Sequence, residues 1–374
     1  MVQFIFIIGA TGKVGSALVT QILEKRDGDF RLHHNPTRIV GLASHDKYIF
    51  SKDGLSKKEC LGFIQRKEAS KPYQMVEDLL VKVKEAGYGF ERKLIFIDTT
   101  AATNITNFHL QICEERLFGM VTANKNPLAL CDFSTFQRLT RDVRSYGYRC
   151  SVMAGAEAVS LLQDLRDVQD PPLFLFGCFS GTLGLVCTEL EKGRRFSEII
   201  REAKEKGYTE PHPRDDFNGL DVARKLLILA RTAGYPVNME DLSIQPFIPK
   251  KYLQEEDVGK FMDSLKGLDD NFSALSKKAK EKGDVLRYVA QMNAENGCAR
   301  LLVSLQEVPK SSTLGMLSGT ANKITVISKT YPKEKPYIVE APGAGLEITA
   351  QNIRRNLLNS LEGRKSFSVV SDYL

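Results

Sequence analysis

The amino-acid sequence predicts an α/β chain of two domains, the first built on a parallel, doubly wound sheet. Three observations lead there. An apolar, β-rich run from Val2 to Ile8 breaks at a glycine turn, Gly9-Ala10-Thr11-Gly12-Lys13-Val14-Gly15, which opens into a helical pattern from Ser16 to Leu23. Further short apolar runs, Arg38 to Ala43, Lys93 to Asp98 and Phe118 to Ala123, follow and end in small or polar residues. Strands of this kind, unbroken by polar alternation, are buried on both faces, as parallel strands covered by helices are. Finally, 374 residues suit two domains of ordinary size. Residues 1–150 are expected to form a Rossmann-type dinucleotide-binding domain and 151–340 a second domain.

Composition narrows the function class. With 43% hydrophobic and 26% charged residues the chain is that of a soluble globular protein with a sizeable core. The net charge of +6 is modest, and Lys and Arg are interleaved with Asp and Glu, so no basic stripe points to nucleic acid. The seven cysteines (Cys60, Cys113, Cys131, Cys150, Cys178, Cys187 and Cys298) are scattered without a C-x-x-C pair, which argues against a zinc site or disulfide framework and for a reducing compartment. No H-E-x-x-H occurs, the N-terminus enters a strand at once without a signal-peptide layout, and no apolar run reaches membrane-spanning length. A cytoplasmic protein without membrane or nucleic-acid partners is expected.

Taken in order, the first strand, turn and helix have the layout of a dinucleotide fingerprint. Glycines permit the tight turn and let backbone N–H groups approach a pyrophosphate at the helix N-terminus. The spacing is G-x-x-G-x-x-G, and the candidate cofactor contacts are Gly9, Thr11, Gly12, Lys13, Val14 and Gly15. The second strand ends at Ser44-His45-Asp46-Lys47. An acid there would bond a ribose 2′-hydroxyl and a base would accept a 2′-phosphate. With Ser44 at the strand end and both Asp46 and Lys47 beyond it, NAD and NADP both stay open. Asp53 to Lys71 is charged and weakly periodic and reads as a surface excursion, and Met75 to Ala86 has helical spacing. Thr99 and Thr100 follow the next strand, where small hydroxyl residues would face the crevice at the sheet's carboxyl edge; a helix cap is the competing reading. Lys125, in Thr122-Ala123-Asn124-Lys125-Asn126-Pro127, ends the following strand beside the same crevice, placed to touch cofactor and substrate.

Beyond a passage at Arg149 to Ala158, Leu173 to Phe179 reads as a strand leading into Ser180-Gly181-Thr182-Leu183-Gly184, and Phe196-Ser197-Glu198 opens a helix to Lys206 by a capping pattern. Tyr252 to Lys282 reads as helical, Val285 to Val308 and Lys323 to Lys329 as strands around a loop from Pro309 to Ala321, and Tyr337 to Glu340 as a last strand. Ala341-Pro342-Gly343-Ala344-Gly345 then precedes a final helix, Ala350 to Leu361, and a loosely held tail from Ser366.

The most informative stretch runs from Gly207 to Lys225: Gly-Tyr-Thr-Glu-Pro-His-Pro-Arg-Asp-Asp-Phe-Asn-Gly-Leu-Asp-Val-Ala-Arg-Lys. Two prolines hold the loop around His212 extended, Asp215, Asp216 and Asn218 are plausible helix caps, and Gly219 would sit one turn into the helix. Leu220, Ala223, Leu226, Leu227 and Ala230 would face a core, while Asp221 and Lys225, four apart, share one face. By charge pattern alone this is a solvated ion pair on a surface helix. By identity over the whole run it resembles the signature of homoserine dehydrogenases, departing at His212, where that family usually has Asp. Ala123 to Pro127, Phe179 to Leu183 and Pro342 to Ala350 match further motifs of the family; Ser151 to Val159 matches poorly, with only Gly155 and Ala156 persisting.

The resemblance implies NAD(P)-dependent interconversion of L-homoserine and L-aspartate 4-semialdehyde by a homodimer, on a Rossmann-type domain of residues 1–150 rejoined by 341–374, plus an α+β domain with a mixed sheet, residues 151–340, for substrate, catalysis and dimerisation. It implies Glu210 on the substrate α-ammonium; Asp221 on the reacting hydroxyl or its water; Lys225 as the group that gives or takes the hydroxyl proton; Lys125 as a second cation; and Gly181, Thr182, Tyr208 and Asp216 as the rest of the substrate pocket. Gly207 and Gly345 would join the cofactor contacts. Carbonyls of Ser151, Ala154, Ala156 and Ala158 would hold Na+ or K+. The residues also allow a silent dinucleotide sensor, although a sensor need not keep Glu210, Asp221, Lys225 and Lys125 together. A phosphorylating semialdehyde dehydrogenase would need a nucleophilic cysteine with a histidine partner, and none stands out. A monofunctional enzyme without kinase or regulatory modules is expected.

Overall fold

A computed structural model of the chain describes residues 2–33, 36–89 and 93–365, with side chains through residue 358. The expected tail from Ser366 to Leu374 lies outside the described residues. The chain divides into two units, Met1–Gly155 with Gly345–Leu374, and Ala156–Ala344.

The first unit is a doubly wound α/β sheet of Rossmann type. Its strands are β1 (Gln3–Ile8), β2 (Thr37–Ala43), β3 (Lys47–Phe50), β4 (Lys71–Pro72), β5 (Leu94–Asp98), β6 (Phe118–Thr122) and β7 (Tyr146–Gly147), in the order β4-β3-β2-β1-β5-β6-β7. β1 pairs in parallel with both β2 and β5, and β5-β6-β7 continue in parallel, while β3 and β4 extend the β2 edge antiparallel. The chain winds outward from β1 through β2, β3 and β4 and then resumes on the other side of β1 with β5, so the carboxyl ends of β1, β2 and β5 open onto the switch-point crevice, where ligands of such sheets bind. The register of β1 on β2 shifts between Ile5 and Phe6, beside Gly41, where a Cβ would come within 2.1 Å of the Phe6 ring. Helices α1 (Lys13–Glu24), α2 (Lys57–Ile64), α3 (Val76–Glu85), α4 (Thr106–Glu115), α5 (Asn126–Ala129) and α6 (Phe133–Thr140) make the connections.

One element here corrects the sequence reading. The charged stretch from Asp53 to Lys71 is not a bare surface excursion: α2 lies within it, opened by a capping box in which Ser56 accepts from Glu59 N and Glu59 accepts from Ser56 N. It shows only two buried side chains, Cys60 and Phe63, which join the core under β1 and β2. Two anchors in eight residues are too few to register as a 3.6-residue period.

The second unit is α+β, with a mixed sheet of six strands: β8 (Phe174–Cys178), β9 (Leu242–Ile244), β10 (Asp284–Asn293), β11 (Arg300–Pro309), β12 (Ala321–Ile327) and β13 (Tyr337–Pro342), in the order β13-β12-β8-β10-β11-β9. All pairs are antiparallel except β11 with β9. The apolar stretch from Val285 to Val308 is a hairpin, paired from Asp284 with Pro309 to Asn293 with Arg300. Helices α7 (Ala158–Asp167), α8 (Gly181–Glu191), α9 (Phe196–Glu205), α10 (Arg214–Phe217), α11 (Leu220–Thr232), α12 (Val258–Ser264) and α13 (Asp269–Glu281) complete it. The stretch read as one helix from Tyr252 to Lys282 is broken: short 3-10 turns at Tyr252–Gln254 and Leu265–Leu268 set off α12 and α13. Those pieces close over stacked rings, with Phe196 4.3 Å from Phe272 and Phe247 5.9 Å from Phe217 between centroids. The cap of α9 is also not local. Asp269, at the start of α13, accepts from Ser197 N and Oγ at 2.8 Å each.

The chain then returns to the first unit as α14 (Leu346–Lys365), which begins four residues earlier than the helix read at Ala350. Ala350, Ile353 and Leu357 enter the core with Leu18, Val19 and Ile22 of α1.

Candidate active site

In the first unit the glycine turn is built by close approach. Gly9 has φ +83°, and the N–H groups of Gly9 and Ala10 both donate to Ala43 O at 2.9 Å, tying the turn to the end of β2. A Cβ on Gly15 would sit 2.3 Å from Gly9 O and 2.8 Å from Thr99 Oγ1, and one on Gly9 2.9 Å from Thr100 Cγ2. Only bare backbone fits between β1, α1 and the Thr99-Thr100 strand end. Gly12 is the N-cap of α1 and offers no side chain to the first turn, so the N–H groups over Lys13, Val14 and Gly15 are left to an outside acceptor. This is the donor set and clearance that a pyrophosphate needs.

Thr99 and Thr100 are not helix caps, since α4 starts only at Thr106. Thr99 Oγ1 donates to Ile8 O at 2.8 Å, and Thr100 N donates to Asp98 Oδ1 at 2.8 Å. Asp98 is fully buried and its Oδ2 lies 3.2 Å from Nε2 of the equally buried His109, close enough for an ion pair although off line for a hydrogen bond. Lys125 caps the short helix α5. The residues on either side of it do the stitching: Asn124 Nδ2 donates to Ala102 O at 2.9 Å and Asn126 Nδ2 to Ala101 O at 2.9 Å. Both asparagines went unread in the sequence, although a pair of amides flanking one lysine was the signal available. Ser44 N donates to Lys47 O at 2.8 Å, which closes the turn after β2, and Gly345 stands before α14 with φ +144°.

In the second unit the two strongest motifs meet. β8 runs out through Phe179, and Ser180 caps α8, accepting from Leu183 N. Opposite stands α11. Gly219 is its N-cap rather than one turn inside it, with φ +80°, and a Cβ there would fall 2.3 Å from Tyr288 Oη. Asn218 Oδ1 accepts from Leu220 N at 2.8 Å, as a cap does, whereas Pro213 takes the N-cap of α10 and Asp215 makes no cap. Ala223, Leu226, Leu227 and Ala230 are buried as read, but Leu220 is 39% exposed because the helix begins with it. That seating turns Lys225 inward. Its Nζ lies 2.8 Å from Asp221 Oδ2 and donates to Phe179 O at 2.7 Å, with its side chain only 13% exposed against 41% for Asp221. A lysine whose donors are drawn by a carboxylate and a strand-end carbonyl is fixed in direction, not a free surface cation.

The loop before α11 folds onto the same place. Thr182 Oγ1 donates to Tyr208 O at 2.7 Å, and Asp216 Oδ2 accepts from Glu210 N at 2.8 Å. Burial pushes the Asp216 carboxyl up to about 6; the Glu210 N–H and the Thr182 hydroxyl pull against that rise, and the charges of Glu210 and Asp221 add to it. Gly181 starts α8 against Thr320, and Gly207, with φ +71°, closes α9. His212 sits edge-on to Phe261 at 5.1 Å, its Nδ1 accepting from Arg214 N and its Nε2 buried without a hydrogen-bond partner. Thus Gly181, Thr182, Tyr208, Glu210, Asp216, Asp221 and Lys225 belong to one connected region of the second unit. Lys125 and the turn residues belong to the first. The Phe179 carbonyl is a functional group that no side-chain motif could reveal.

Of the carbonyls read as cation ligands, Ala154 O already accepts from Asn352 Nδ2 at 2.9 Å. Among the described residues no group of three or more His, Cys, Asp or Glu could hold a metal ion, and no helix is long and apolar enough to cross a membrane.

Comparison with known proteins bears on the same motifs. Residues 164–358 match the family model for homoserine dehydrogenase. The chain is 33% identical over 353 residues to a bifunctional aspartokinase/homoserine dehydrogenase 1 of Arabidopsis thaliana, covering 93% of this chain and 37% of that protein. It is 28% identical to the homoserine dehydrogenase of Saccharomyces cerevisiae, covering 93% of this chain and 94% of the yeast protein. The chain spans 37% to 42% of the length of the bifunctional relatives it matches. In three dimensions it superposes on a hyperthermophilic archaeal homoserine dehydrogenase in complex with NADPH with a TM-score of 0.71 at 18% identity, covering 97% of this chain and 98% of that one. The family model matches more than half of the chain, and it does so across β8, α8 and the Lys225 helix: the chain belongs to the homoserine dehydrogenase family.

Proposed function

We propose that the chain is an NAD(P)-dependent oxidoreductase that interconverts L-homoserine and L-aspartate 4-semialdehyde, a step of threonine, methionine and isoleucine biosynthesis. The observation that carries this reading is Lys225, held by Asp221 and the Phe179 carbonyl at the mouth of β8. When bound, the nicotinamide supplies hydride chemistry, and the protein must hold the amino acid and move one proton. Glu210 is the acceptor for the α-ammonium, a role that a donor cannot fill. Asp221 and Lys225 together bracket a hydroxyl: the carboxylate accepts its hydrogen bond, and the amine exchanges its proton. Lys125, at the cofactor edge of the first unit, supplies a second positive charge. Gly181, Thr182, Tyr208 and Asp216 shape the pocket, and Gly9 to Gly15, Ser44, Thr99, Thr100, Gly207 and Gly345 are the cofactor contacts. Lys13, Val14 and Gly15 fit the pyrophosphate because no side chain caps their N–H groups, while Thr11 and Gly12 shape the turn before them, the Gly12 N–H donating to Gly9 O at 2.9 Å.

The same family reading supports a homodimer, and the free, scattered cysteines support a reducing compartment such as the cytoplasm. It also supports a monovalent cation, Na+ or K+, on the carbonyls of Ser151, Ala154, Ala156 and Ala158; a carbonyl has two lone pairs, so the Asn352 bond to Ala154 O still leaves one for an ion.

The test is absorbance at 340 nm with homoserine and each dinucleotide, repeated without monovalent salts. Lys225→Ala is expected to lower kcat by roughly two to four orders of magnitude, the scale of a lost general acid–base group, with dinucleotide affinity unchanged. Near-normal turnover by that variant removes Lys225 from proton transfer.

A further inference from the structure

Behind the crevice of the first unit lies a buried polar chain that the proposed mechanism does not use. Asp98 ends β5, His109 stands on α4 and Tyr146 opens β7, and all three are buried to 1% exposure or less. His109 Nδ1 and Tyr146 Oη are 2.8 Å apart, and His109 Nε2 faces Asp98 Oδ2 at 3.2 Å. Burial pushes the Tyr146 hydroxyl well above the usual tyrosine range, so it keeps its proton and can give it to Nδ1. The ring hydrogen then sits on Nε2, opposite a carboxylate that can only accept. A carboxylate sealed from water is costly unless each oxygen is met. Here Oδ1 accepts from Thr100 N at 2.8 Å, while Oδ2 has His109 at 3.2 Å and Thr122 Oγ1 at 3.5 Å.

What this chain of groups holds is the floor of the crevice. Thr100, pinned to Asp98 through its N–H, uses its hydroxyl to accept from Ala102 N at 3.2 Å and from Asn124 Nδ2 at 3.3 Å. Thr122 Oγ1 accepts from Asn124 N at 2.9 Å, and Asn124 Oδ1 accepts from Asn126 N at 3.0 Å. The loops after β5 and β6 are thus tied to each other and, at Asp98, to one buried acid. Lys125 lies in the second loop, between the two asparagines. Apolar side chains of similar volume would stabilise such an interior at least as well as a buried polar pair. A carboxylate adds what they cannot, a fixed direction for the Thr100 N–H.

We propose that His109 is a positioning residue for the reaction: by holding the Asp98 carboxylate it fixes the Thr100 N–H, and with it the strand-end loops that carry Thr99, Thr100 and Lys125. This rests on the dehydrogenase reading above for its reaction, and on dinucleotide binding alone for its first test. The full chain and its variants are titrated by fluorescence with NADPH and NADH and assayed for homoserine oxidation. His109→Leu should raise the Kd of the tighter dinucleotide about tenfold, a margin of about 1.4 kcal/mol. It should lower kcat by at least as much while the KM for homoserine changes less than about threefold, because Glu210 and its pocket belong to the second unit. His109→Gln can set an amide N–H against Asp98 and should return both quantities to within about threefold of wild type. Asp98→Asn and Asp98→Asn/His109→Leu complete a cycle. Without the carboxylate charge His109 has nothing left to hold, so the double variant should match Asp98→Asn within about threefold in Kd and kcat. It also lacks the buried charge that could unfold His109→Leu, so this comparison stands if that single variant does not fold. A His109→Leu protein that melts lower but keeps its Kd and kcat within about threefold has lost only stability, and overturns the proposal. Equal losses in His109→Leu and His109→Gln overturn it too, as does a double variant more than about threefold weaker than Asp98→Asn. No turnover by the wild-type chain that still binds a dinucleotide defeats the dehydrogenase reading and leaves the Kd comparison to decide for His109. No binding of either dinucleotide overturns both.

Discussion

Within the candidate site, Asp216 carries a carboxyl displaced from its free form. Burial raises its carboxyl to about 6, from 3.8, although Glu210 N and Thr182 both favour the charged state. A carboxyl raised on folding makes the folded protein bind a proton that the unfolded chain has released. Its contribution to stability is therefore fully present below the unfolded value and is lost as pH rises through about 6. Asp216→Asn keeps an oxygen to accept from Glu210 N and removes the titration. The melting temperature of the variant, relative to wild type, should climb between pH 4 and pH 7. A constant difference across that range would show that Asp216 is not raised. A second readout follows from function: if Asp216 helps hold an ammonium, the KM for homoserine in the wild type should rise as pH falls below about 6.

At the scale of elements, what the sequence disclosed depended on how each element closes. The buried strands of the first sheet and the Gly207 to Lys225 stretch were legible, because continuous apolar runs and a long identity carry their own signal. Gly219 was misjudged by one helical turn, because its requirement comes from Tyr288, about seventy positions away, and not from its neighbours. The breaks of the Tyr252 to Lys282 stretch are marked only faintly, by Asp257 as the cap of α12 and by Gly267 in the turn before α13, and packing over Phe196, Phe247 and Phe272 turns the chain there. The inward direction of Lys225 needed the Phe179 carbonyl, a backbone group without a sequence mark. The cap of α9 belongs to the same class, since Asp269 supplies from another helix what Ser197 was expected to supply locally. Asp269→Ala leaves the N–H and hydroxyl of the buried Ser197 unpaired. It should cost about 1–2 kcal/mol in urea unfolding, the usual range for a lost cap. Asp269→Asn, which retains an acceptor, should lose less; equal losses in the two variants would mean that the contact is not a cap.

At the scale of the whole molecule, the first unit is discontinuous in sequence, so its integrity depends on α14 finding α1 after the entire second unit has been made. Apolar burial does most of this, through Ala350, Ile353 and Leu357. Direction and register come from polar bonds: Arg354 Nε and Nη2 grip Asp27 at 2.6 and 2.5 Å, Gln21 Nε2 reaches Glu347 O at 2.9 Å, and Asn352 Nδ2 reaches Ala154 O at 2.9 Å. Asp27 is 7% exposed, so removing Arg354 leaves its charge at the root of the loop after α1 with His33 Nε2, 3.6 Å away, in place of two direct bonds. Arg354→Ala should then cost about 2–4 kcal/mol, near the range for a half-broken, partly buried pair, and Ile353→Ala about 2–5 kcal/mol for the emptied core position. Both losses should fall on the unit that carries the glycine turn. Pulse proteolysis in urea should release fragments of that unit at lower denaturant than in the wild type, while cleavage within Ala156–Ala344 keeps its wild-type midpoint. If both units shifted together by the same amount, the chain would unfold as one cooperative block, and α14 would be a clasp for the whole protein and not for its first unit alone.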